Sequence, residues 1–329
     1  MRDNRYLLTL AVTGALAFGV VACGDDEEPT ASGGGSTEET SSEGGGELSG
    51  KIAIDGSSTV APFAEAAAEL FQEENSGVQI TVGTSGTGGG FEKFCAGETD
   101  ISDASRAIKD DEEVPLCEEG GIEYTEVQIA NDGIAVATNK DLAVDCMTVD
   151  ALKKVWNKGS KIKSLADADP ELPDTELSLY GPGTDSGTFD FFTDAINGEE
   201  GVSREDYEAS EDDNQLVTGV SGDEGGFGYF GFSYFEAAAD KLNLVGVDSG
   251  DGNCVKPSIE TIQDGSYTPL SRPLFMYPGK KAMERPEVKA FMDFVIAQQA
   301  EIAKAANIVG LTEEQATKAK ADLTKAEGS

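Results

Sequence analysis

The sequence predicts an α/β fold with largely parallel sheets, built as two lobes. Short apolar stretches alternate with helical stretches along most of the 329 residues, which is the pattern of strand–helix–strand units. Loops rich in Ser, Thr and Gly follow three of the apolar stretches, where a strand would be followed by a helix. An extended segment at 272–277, with prolines around it, is expected to carry the chain back to its first half.

The first part of the chain predicts three strands and two helices. Pro62 suits the first turn of a helix, because a missing N–H has no helical partner to lose there. An acidic loop follows the third strand and leads to an extended stretch over 124–130. The predicted strands are 51–54, 78–82 and 101–104, and the predicted helices are 62–74 and 89–95.

The middle and end of the chain continue the alternation. A long strand over 132–139 is expected to enter a new sheet. The aromatic cluster between 227 and 235 is assigned mainly to the core. The remaining predicted elements are helices over 149–156, 188–196, 232–240, 286–307 and 312–326 and strands over 177–180 and 244–247.

This order of elements predicts two lobes joined by two crossing segments. We expect lobe 1 to comprise 50–130 and 271–329, and lobe 2 to comprise 131–270. The crossings are expected near 129–133 and 270–277. Lobes that are hinged in this way close on ligands in the cleft between them.

The charge of the chain excludes one large class of partner. The formal net charge is -38 and the sequence has no histidine. Nucleic acid phosphates would be repelled by such a surface, so no nucleic acid partner is expected. A small anion is still allowed, because salt screens long-range repulsion whereas buried dipoles act at contact.

The N-terminus predicts an export signal over residues 1–22. Two arginines precede an apolar run and a string of small residues, which is the layout of a signal peptide. Cys23 follows the small residues directly and resembles the lipidated cysteine of bacterial lipoproteins. A plain signal peptide with a chance cysteine, and a single membrane-spanning anchor, are the alternatives. The apolar run is short for a spanning helix, which needs about 20 residues.

Residues 23–49 are predicted to form an acidic, Gly/Ser-rich tether. They contain almost nothing that could form a core, so the burial of apolar surface cannot offset the entropy of ordering them. A cleaved propeptide is the alternative interpretation.

Four further cysteines predict two disulfides. An even number in an exported chain favours disulfide bonds, and four cysteines allow three pairings. We favour Cys95 with Cys117 and Cys146 with Cys254. Free buried thiols or a metal site are the alternatives, but zinc is disfavoured by the wide spacing and the lack of histidine.

The three loops rich in Ser, Thr and Gly predict an oxyanion receptor. They lie at 55–60, 83–90 and 181–188. The first turn of a helix has unpaired N–H groups and the positive end of the helix dipole, and small residues there let an anion approach closely. A single loop of this kind is more often an ordinary helix cap. Three that converge would bind an oxyanion.

Five motifs in register resemble the PstS family, the phosphate-binding proteins of bacterial phosphate ABC importers. The resemblance covers nearly all of the chain from about residue 50. The motifs are GSSTV at 56–60, SGTGGGFEKFCAGETDISDASR at 85–106, GPGTDSGTFDFF at 181–192, GVSGDEGGFGYFGFSYF at 219–235 and PLSRPLFMY at 269–277.

The resemblance implies a type II periplasmic-binding-protein fold that captures inorganic phosphate and delivers it to an ABC permease. It implies that lobe 1 and lobe 2 each contribute ligands, and that neither a cofactor nor a metal takes part. The predicted phosphate ligands are Ser58, Thr59, Val60, Ser85, Ser105, Arg106, Asp185, Ser186, Gly187 and Thr188.

The sequence departs from the family pattern at two positions. Arg106 stands where better-known members have an aspartate, and Pro182 stands where they have an arginine. The simplest explanation is that Arg106 supplies the cationic fork for the anion. The residue that accepts the phosphate proton is then open, with Asp185 as first candidate and Asp103 and Asp55 as weaker ones. Asp185 could equally be a helix cap.

Other functions fit the sequence less well than this interpretation. An enzyme is not expected, because a chain without histidine cannot form a Ser-His-Asp relay or a His-ligated zinc site. A binding protein for sulfate or molybdate, a phosphatase-like hydrolase and an adhesive surface lipoprotein are the alternatives. We expect a monomeric extracytoplasmic lipoprotein, attached to the outer face of the membrane by its lipid.

Overall fold

The computed structural model describes residues 48–327, with side chains to residue 325. The predicted signal peptide, Cys23 and nearly all of the predicted tether lie outside these residues. The described part contains eleven strands: β1 (Ser49–Gly56), β2 (Gly77–Gly83), β3 (Ile101–Ala104), β4 (Val127–Asn139), β5 (Cys146–Thr148), β6 (Ser178–Pro182), β7 (Glu208–Ser210), β8 (Gly226–Gly231), β9 (Leu242–Asp248), β10 (Cys254–Val255) and β11 (Ser271–Pro278).

Twelve α-helices and one π-helical turn, Thr193–Asn197, connect these strands in the described part. The helices are α1 (Ala61–Glu74), α2 (Gly86–Cys95), α3 (Glu113–Gly120), α4 (Val149–Trp156), α5 (Leu165–Ala168), α6 (Gly187–Phe192), α7 (Asp213–Gly222), α8 (Phe232–Ala237), α9 (Ile259–Gln263), α10 (Lys280–Met283), α11 (Pro286–Ala305) and α12 (Glu313–Glu327).

The sheet is mixed, so the prediction of largely parallel sheets is wrong in part. Its main path is β2-β1-β3-β11-β4-β8-β6-β7, and β9 also pairs with β4. At one end β1 pairs in parallel with β2 and β3, and at the other end β6 pairs in parallel with β7 and β8. The central strands β11 and β4 are antiparallel to their neighbours and to each other, because one leaves the first half of the chain and the other returns to it.

The first crossing is a single long strand. The two extended stretches that were predicted separately, 124–130 and 132–139, form one strand, β4. Its first part pairs with β11, and from Ile134 onward it pairs with β8 and then β9. The sequence carries a turn signal there, Asp132-Gly133, but pairing with β11 up to Gly133 and with β8 from Ile134 keeps the backbone extended.

Two main hydrophobic clusters pack on this sheet. One takes its buried residues from 52–130 and 274–323, and the other takes them from 134–270 together with Val309. The second contains the aromatic cluster between 227 and 235, whose predicted assignment to the core is confirmed, with only Tyr234 partly exposed. The lobe boundaries themselves stay a prediction.

Several predicted elements differ from the structure. The acidic stretch after β3 contains the helix α3, whose Glu113 is turned inward and is only 4% exposed. The predicted helix 232–240 ends earlier, at Ala237. The predicted helix 188–196 is a short α-helix followed by the π-helical turn. Short elements such as β5, β7 and β10 were not predicted, because two or three residues carry no periodicity.

Both disulfides have the predicted pairing. Cys95 at the end of α2 is bonded to Cys117 in α3, and Cys146 in β5 is bonded to Cys254 in β10. Neither pair is therefore available as free thiols or as metal ligands. None of the helices in the described residues is long and apolar enough to span a membrane.

Asp103, on β3, is a fully buried acid without a partner. Its side chain is 1% exposed, and no residue in the described range donates a hydrogen bond to either carboxylate oxygen. Burial and the negative charge of Asp55 raise the pKa of Asp103 well above its ordinary value. The folded state therefore favours the protonated acid, and stability is lost as the pH rises from the unfolded-state pKa toward the folded-state pKa.

Replacing Asp103 with asparagine tests this description. Asp103→Asn is expected to stabilise the protein at pH 7 by on the order of 1–3 kcal/mol, because the amide cannot ionise. The gain should vanish below the ordinary pKa of 3.8, where the acid is protonated in both states. Urea unfolding at both pH values measures this, with the exposed Asp110→Asn as the control. An equal loss of stability at both pH values would contradict it.

Candidate functional site

One cavity is lined by residues of the first two Ser/Thr-Gly loops and by Asp190 and Phe191 of α6, the helix that follows the third loop. Its volume is about 460 Å³, which is in the range of small-molecule sites. It opens between the loop that precedes α1, the first turn of α2 and the helix α6. Its lining residues are Ser57, Ser58, Thr59, Ser85, Gly86, Thr87, Gly88, Gly89, Ser105, Arg106, Asp190, Phe191, Asp194, Glu200 and Arg272.

The loop between β1 and α1 places the hydroxyls of Ser58 and Thr59 at the cavity. Ser57 organises this turn: its Oγ accepts from the Thr59 amide at 3.2 Å, and its carbonyl accepts from the Val60 amide at 3.1 Å. Val60 is completely buried and does not line the cavity. The predicted amide ligands of Thr59 and Val60 are thus already bonded within the turn. The Ser58 hydroxyl donates to Asp190 Oδ2 at 3.1 Å, so the Thr59 hydroxyl is what the loop offers to a ligand.

The second loop brings the first turn of α2 to the cavity wall. Gly90 lets the helix approach β1 closely, because a Cβ there would lie 2.5 Å from the Gly56 Cα. Ser85 precedes the helix, and both its amide (3.1 Å) and its hydroxyl donate to Asp55 Oδ1. Lys93 donates to the other oxygen of Asp55 at 2.6 Å. Ser85, a predicted phosphate ligand, lines the cavity, but both of its hydrogen-bond donors are bonded to Asp55.

Asp55 is a fixed, ionised carboxylate rather than a proton acceptor. Burial by itself would raise the pKa of Asp55, but the hydrogen bonds from Lys93 and Ser85 outweigh it, so the pKa is lowered. Asp55 is not among the lining residues. Its role in the structure is to hold the start of α2 against the end of β1.

The end of β3 contributes Ser105 and Arg106. The Ser105 amide donates to Thr87 Oγ1 at 3.2 Å, and the two hydroxyl oxygens are 3.0 Å apart, which ties this strand to α2. Arg106 lines the cavity, but its guanidinium donates to both oxygens of Glu113, at 2.9 and 2.6 Å. The hydrogen bonds with Glu113 raise the pKa of Arg106. The fork predicted for the anion is engaged by a carboxylate from α3, which the sequence did not place there.

The third loop touches the first rather than lining the cavity. Ser186 caps α6, because its Oγ accepts from the Thr188 amide at 3.2 Å. Gly187 lies against Thr59 so closely that a Cβ would be 2.4 Å from the Thr59 amide nitrogen. None of Ser186, Gly187 and Thr188 lines the cavity. Asp190 and Phe191, which follow them in α6, do line it.

Asp185, the first candidate for the proton acceptor, is exposed and lies outside the cavity lining. Its amide donates to Glu211 Oε1 at 3.3 Å. It does not cap α6, since Ser186 does. Asp103 is also outside the lining, completely buried behind the first loop. The structure places none of the three predicted acceptor carboxylates at the cavity.

Arg272, on the return strand β11, is the cation that the sequence analysis missed. Its Nη2 donates to Thr59 Oγ1 at 2.6 Å and to the Gly187 carbonyl at 3.3 Å, so it bridges the first and third loops. Its Nε is 3.3 Å from Asp132 Oδ2 on β4, and its guanidinium lies 3.7 Å from the centre of the Phe191 ring. Burial lowers the pKa of Arg272, and Asp132 opposes that shift.

A signal for Arg272 existed in the sequence. It is the one charged residue in the motif PLSRPLFMY at 269–277, on a strand that was expected to cross between lobes. An arginine within an apolar strand needs partners for its charge, so its presence in a predicted crossing strand pointed to the cleft. Its hydrogen-bond acceptors, Thr59 and Gly187, belong to two of the three loops that the sequence analysis predicted to bind an oxyanion.

Three carboxylates, Asp190, Asp194 and Glu200, line the side of the cavity formed by α6 and the residues after it. Asp194 and Glu200 are exposed, whereas Asp190 is half-buried. Burial raises the pKa of Asp190, opposed by the Ser58 hydrogen bond and the charge of Arg272. Burial and the charges of Asp190 and Asp194 raise the pKa of Glu200. The sequence analysis selected none of them.

The arrangement suits the binding of an oxyanion rather than catalysis. Arg272 donates to the Thr59 oxygen, and no described residue accepts the Thr59 hydroxyl proton, so that proton is free for a ligand. The first turn of α2, Gly86 to Gly89, lines the cavity, and first-turn amides have no partner within a helix, so they are suited to an anion. No group of three or more Cys, Asp or Glu side chains in the described residues is arranged to hold a metal ion.

Comparison with known proteins places the chain in a family. A sequence profile of the PBP superfamily domain matches residues 39–299. The protein SphX of Synechococcus elongatus is 43% identical over 79% of this chain and 77% of its own length. The phosphate-binding protein PstS of Staphylococcus saprophyticus is 40% identical over 84% of this chain and 86% of its own length.

Solved structures agree with these relatives. A possible phosphate binding protein from Planctomyces limnophilus has a TM-score of 0.80 and 42% identity, over 85% of this chain and 99% of its own. A putative phosphate ABC transporter substrate-binding protein from Clostridium perfringens, solved with bound phosphate, has a TM-score of 0.56 and 26% identity, over 80% of this chain and 100% of its own. The chain has the α/β fold of periplasmic binding proteins. It belongs to the PBP superfamily and, within it, to the PstS family of phosphate-binding proteins.

Proposed function

We propose that this protein captures inorganic phosphate in the 460 Å³ cavity and delivers it to an ABC permease. The observation that carries the proposal is the Arg272 bridge between Thr59 and Gly187, which joins two of the three loops beside the first turn of α2. The relatives that are named as phosphate-binding proteins, and the similar structure solved with phosphate, support the choice of anion.

The proposed ligands are those residues of the cavity that have donors to offer. They are the hydroxyl of Thr59, the guanidinium of Arg272 and the first-turn amides of α2 from Gly86 onward. The Ser85 hydroxyl joins them when it turns away from Asp55. Charge-assisted hydrogen bonds contribute about 1.5–3 kcal/mol each, so several together are sufficient for micromolar affinity or better.

Binding is proposed to join two lobes, with lobe 1 at 50–130 and 271–329 and lobe 2 at 131–270. In this division, the Ser58–Asp190 hydrogen bond of 3.1 Å and the close contact of Thr59 with Gly187 both run between lobes. The Arg272–Asp132 ion pair lies on the two crossing strands. An anion that bonds to residues of both lobes stabilises the closed arrangement.

The proposed location is extracytoplasmic, with the chain anchored to the membrane by a lipid on Cys23 after cleavage of residues 1–22. The two disulfides support this location, because disulfides persist in oxidising compartments outside the cytosol. The acidic segment 23–49 would act as the tether, and the protein would work as a monomer.

Phosphate should stabilise the folded protein. A ligand that binds only the folded state, at 100 times its dissociation constant, adds about 2.7 kcal/mol to the free energy of unfolding. Urea unfolding with and without phosphate measures this, with sulfate at the same ionic strength as the control. No shift with phosphate, or an equal shift with sulfate, would argue against phosphate capture.

The two cavity arginines should differ in their importance. Arg272→Lys is expected to weaken phosphate binding about 10-fold or more, because an ammonium cannot reach Thr59, Gly187 and an anion as a planar fork does. Arg106→Lys is the matched control: it keeps an ion pair with Glu113 and should change the affinity less than about threefold. Calorimetric titration measures both. A larger loss of phosphate affinity in Arg106→Lys than in Arg272→Lys would contradict this prediction and identify Arg106 as the phosphate ligand.

Gly187→Ala should weaken binding without unfolding the protein. The added Cβ would lie 2.4 Å from the Thr59 amide nitrogen, so the first and third loops must move apart. We expect a loss of phosphate affinity of about 10-fold or more, and a loss of about 1–3 kcal/mol in the free energy of unfolding without phosphate, which leaves the protein folded. Gly222→Ala, with no atom near the added Cβ, is the control. Unchanged affinity in Gly187→Ala would disprove the need for this contact.

A further inference from the structure

The crossing strand β4 has different partners on its two faces. Asp132 makes the ion pair with Arg272, which lines the cavity. Asn131, the residue before it, is only 2% exposed and bonds instead to Gln315 of the C-terminal helix α12. Successive residues of a strand point to opposite faces of the sheet. The side-chain contacts of Asn131 therefore lie on the face of β4 that is turned away from Arg272.

Three side-chain amides form a hydrogen-bonded network on that face: Asn131, Gln263 of α9 and Gln315. Asn131 Nδ2 donates to Gln315 Oε1 at 3.1 Å, and Gln315 Nε2 donates to Asn131 Oδ1 at 3.3 Å and to the Gln263 carbonyl at 3.0 Å. Asn131 Nδ2 and Gln263 Nε2 both donate to the carbonyl of Gly310, in the loop before α12, at 3.1 and 2.9 Å. All three amide nitrogens of this amide network therefore have acceptors.

The amide network connects the two hydrophobic clusters that pack on the sheet. Leu323 of α12 belongs to the cluster drawn from 52–130 and 274–323, whereas Ile262 of α9 belongs to the other one. Two bonds run between these helices and their loops: Gln315 Nε2 to the Gln263 carbonyl, and Gln263 Nε2 to the Gly310 carbonyl. In the proposed division of the chain, both are bonds between lobe 1 and lobe 2.

Bonds at this place respond to the relative position of the lobes. When two lobes rotate about their crossing strands, groups that face each other across those strands change their separation. Hydrogen bonds tolerate little change, because donor and acceptor must stay within about 2.7–3.2 Å and close to linear. The arrangement in which the two bonds form is the one in which Gly187 lies against Thr59 at the cavity. The amide network therefore belongs to the closed arrangement.

We propose that Asn131, Gln263 and Gln315 are positioning residues for phosphate capture, because their amide network holds the lobes closed from outside the cavity. None of the three lines the cavity. The inference rests on the proposed function and on its division into lobes. The affinity for a ligand falls in proportion to the fraction of the protein that is in the binding-competent arrangement. The amide network raises that fraction, and with it the affinity for phosphate, without touching the anion.

Hydrogen–deuterium exchange of the full chain without phosphate tests whether the amide network favours closure. Gln315→Ala removes its central member, so the peptides that contain Thr59 and Gly187 should exchange at least about threefold faster than in the wild type. Saturating phosphate should restore their slow exchange. Gln299→Ala is the matched control: Gln299 Oε1 accepts from the Leu311 amide at 3.2 Å, within lobe 1 alone. It should leave the exchange of both peptides unchanged.

Calorimetric titration with phosphate measures the effect on affinity. Gln315→Ala and Gln263→Ala should each weaken binding about fivefold or more, which is the usual size of coupling between separate sites. Gln315→Glu keeps the size of the side chain but cannot donate to the Gln263 carbonyl, so it should weaken binding as Gln315→Ala does. Gln299→Ala should change the affinity less than about twofold.

The results that would overturn the inference are distinct from those that would overturn phosphate capture. A wild type that binds phosphate, together with unchanged exchange and affinity in Gln315→Ala, would disprove the role of the amide network alone. Equal effects in Gln299→Ala would do the same, because that bond does not join the lobes. A wild type that binds no phosphate would disprove the proposed function, while the exchange comparison still tests closure. Gln263→Ala replaces Gln315→Ala if the latter fails to fold by circular dichroism.

Discussion

The contact of Arg272 with Thr59 Oγ1 and the Gly187 carbonyl is the interaction on which the site depends. It joins β11, one of the central strands of the sheet, to two loops. Their residues Thr59 and Gly187 are 128 positions apart in the chain. Burial of the guanidinium is costly by itself, and Asp132, the Phe191 ring and the two loop oxygens together offset that cost. Loss of any one of these partners would remove part of what offsets the cost of taking the guanidinium out of water.

The cavity is not strongly positive, because its two arginines are each paired with a carboxylate and three further carboxylates line one wall. Arg106 is paired with Glu113, and Arg272 with Asp132, while Asp190 contacts a hydroxyl. In a chain with a net charge of -38, long-range attraction of an anion is not available. In the function we propose, recognition comes from contact: the amides of the first turn of α2, a hydroxyl proton and a guanidinium at short range.

The sequence predicted the main elements because their signals are local. The strands that precede the loops, the helix after Pro62 and the disulfide partners all follow from periodicity, caps and spacing, and the motif order gave the family. The site was predicted less well. Arg106 follows Ser105 at the end of β3, as expected, but Glu113 from an unpredicted helix binds it. Arg272 and Asp190 become neighbours of the Ser58–Thr59 loop only through the long-range pairing of β11 and the packing of α6, which no local pattern carries.

A crystal structure of the protein with phosphate is the most direct test of the central claim. The account predicts that the anion lies within hydrogen-bonding distance of the Arg272 guanidinium and the Thr59 hydroxyl, at the first turn of α2, with Arg106 still paired to Glu113. An anion bound to Arg106, with Arg272 still engaged only by protein groups, would contradict it.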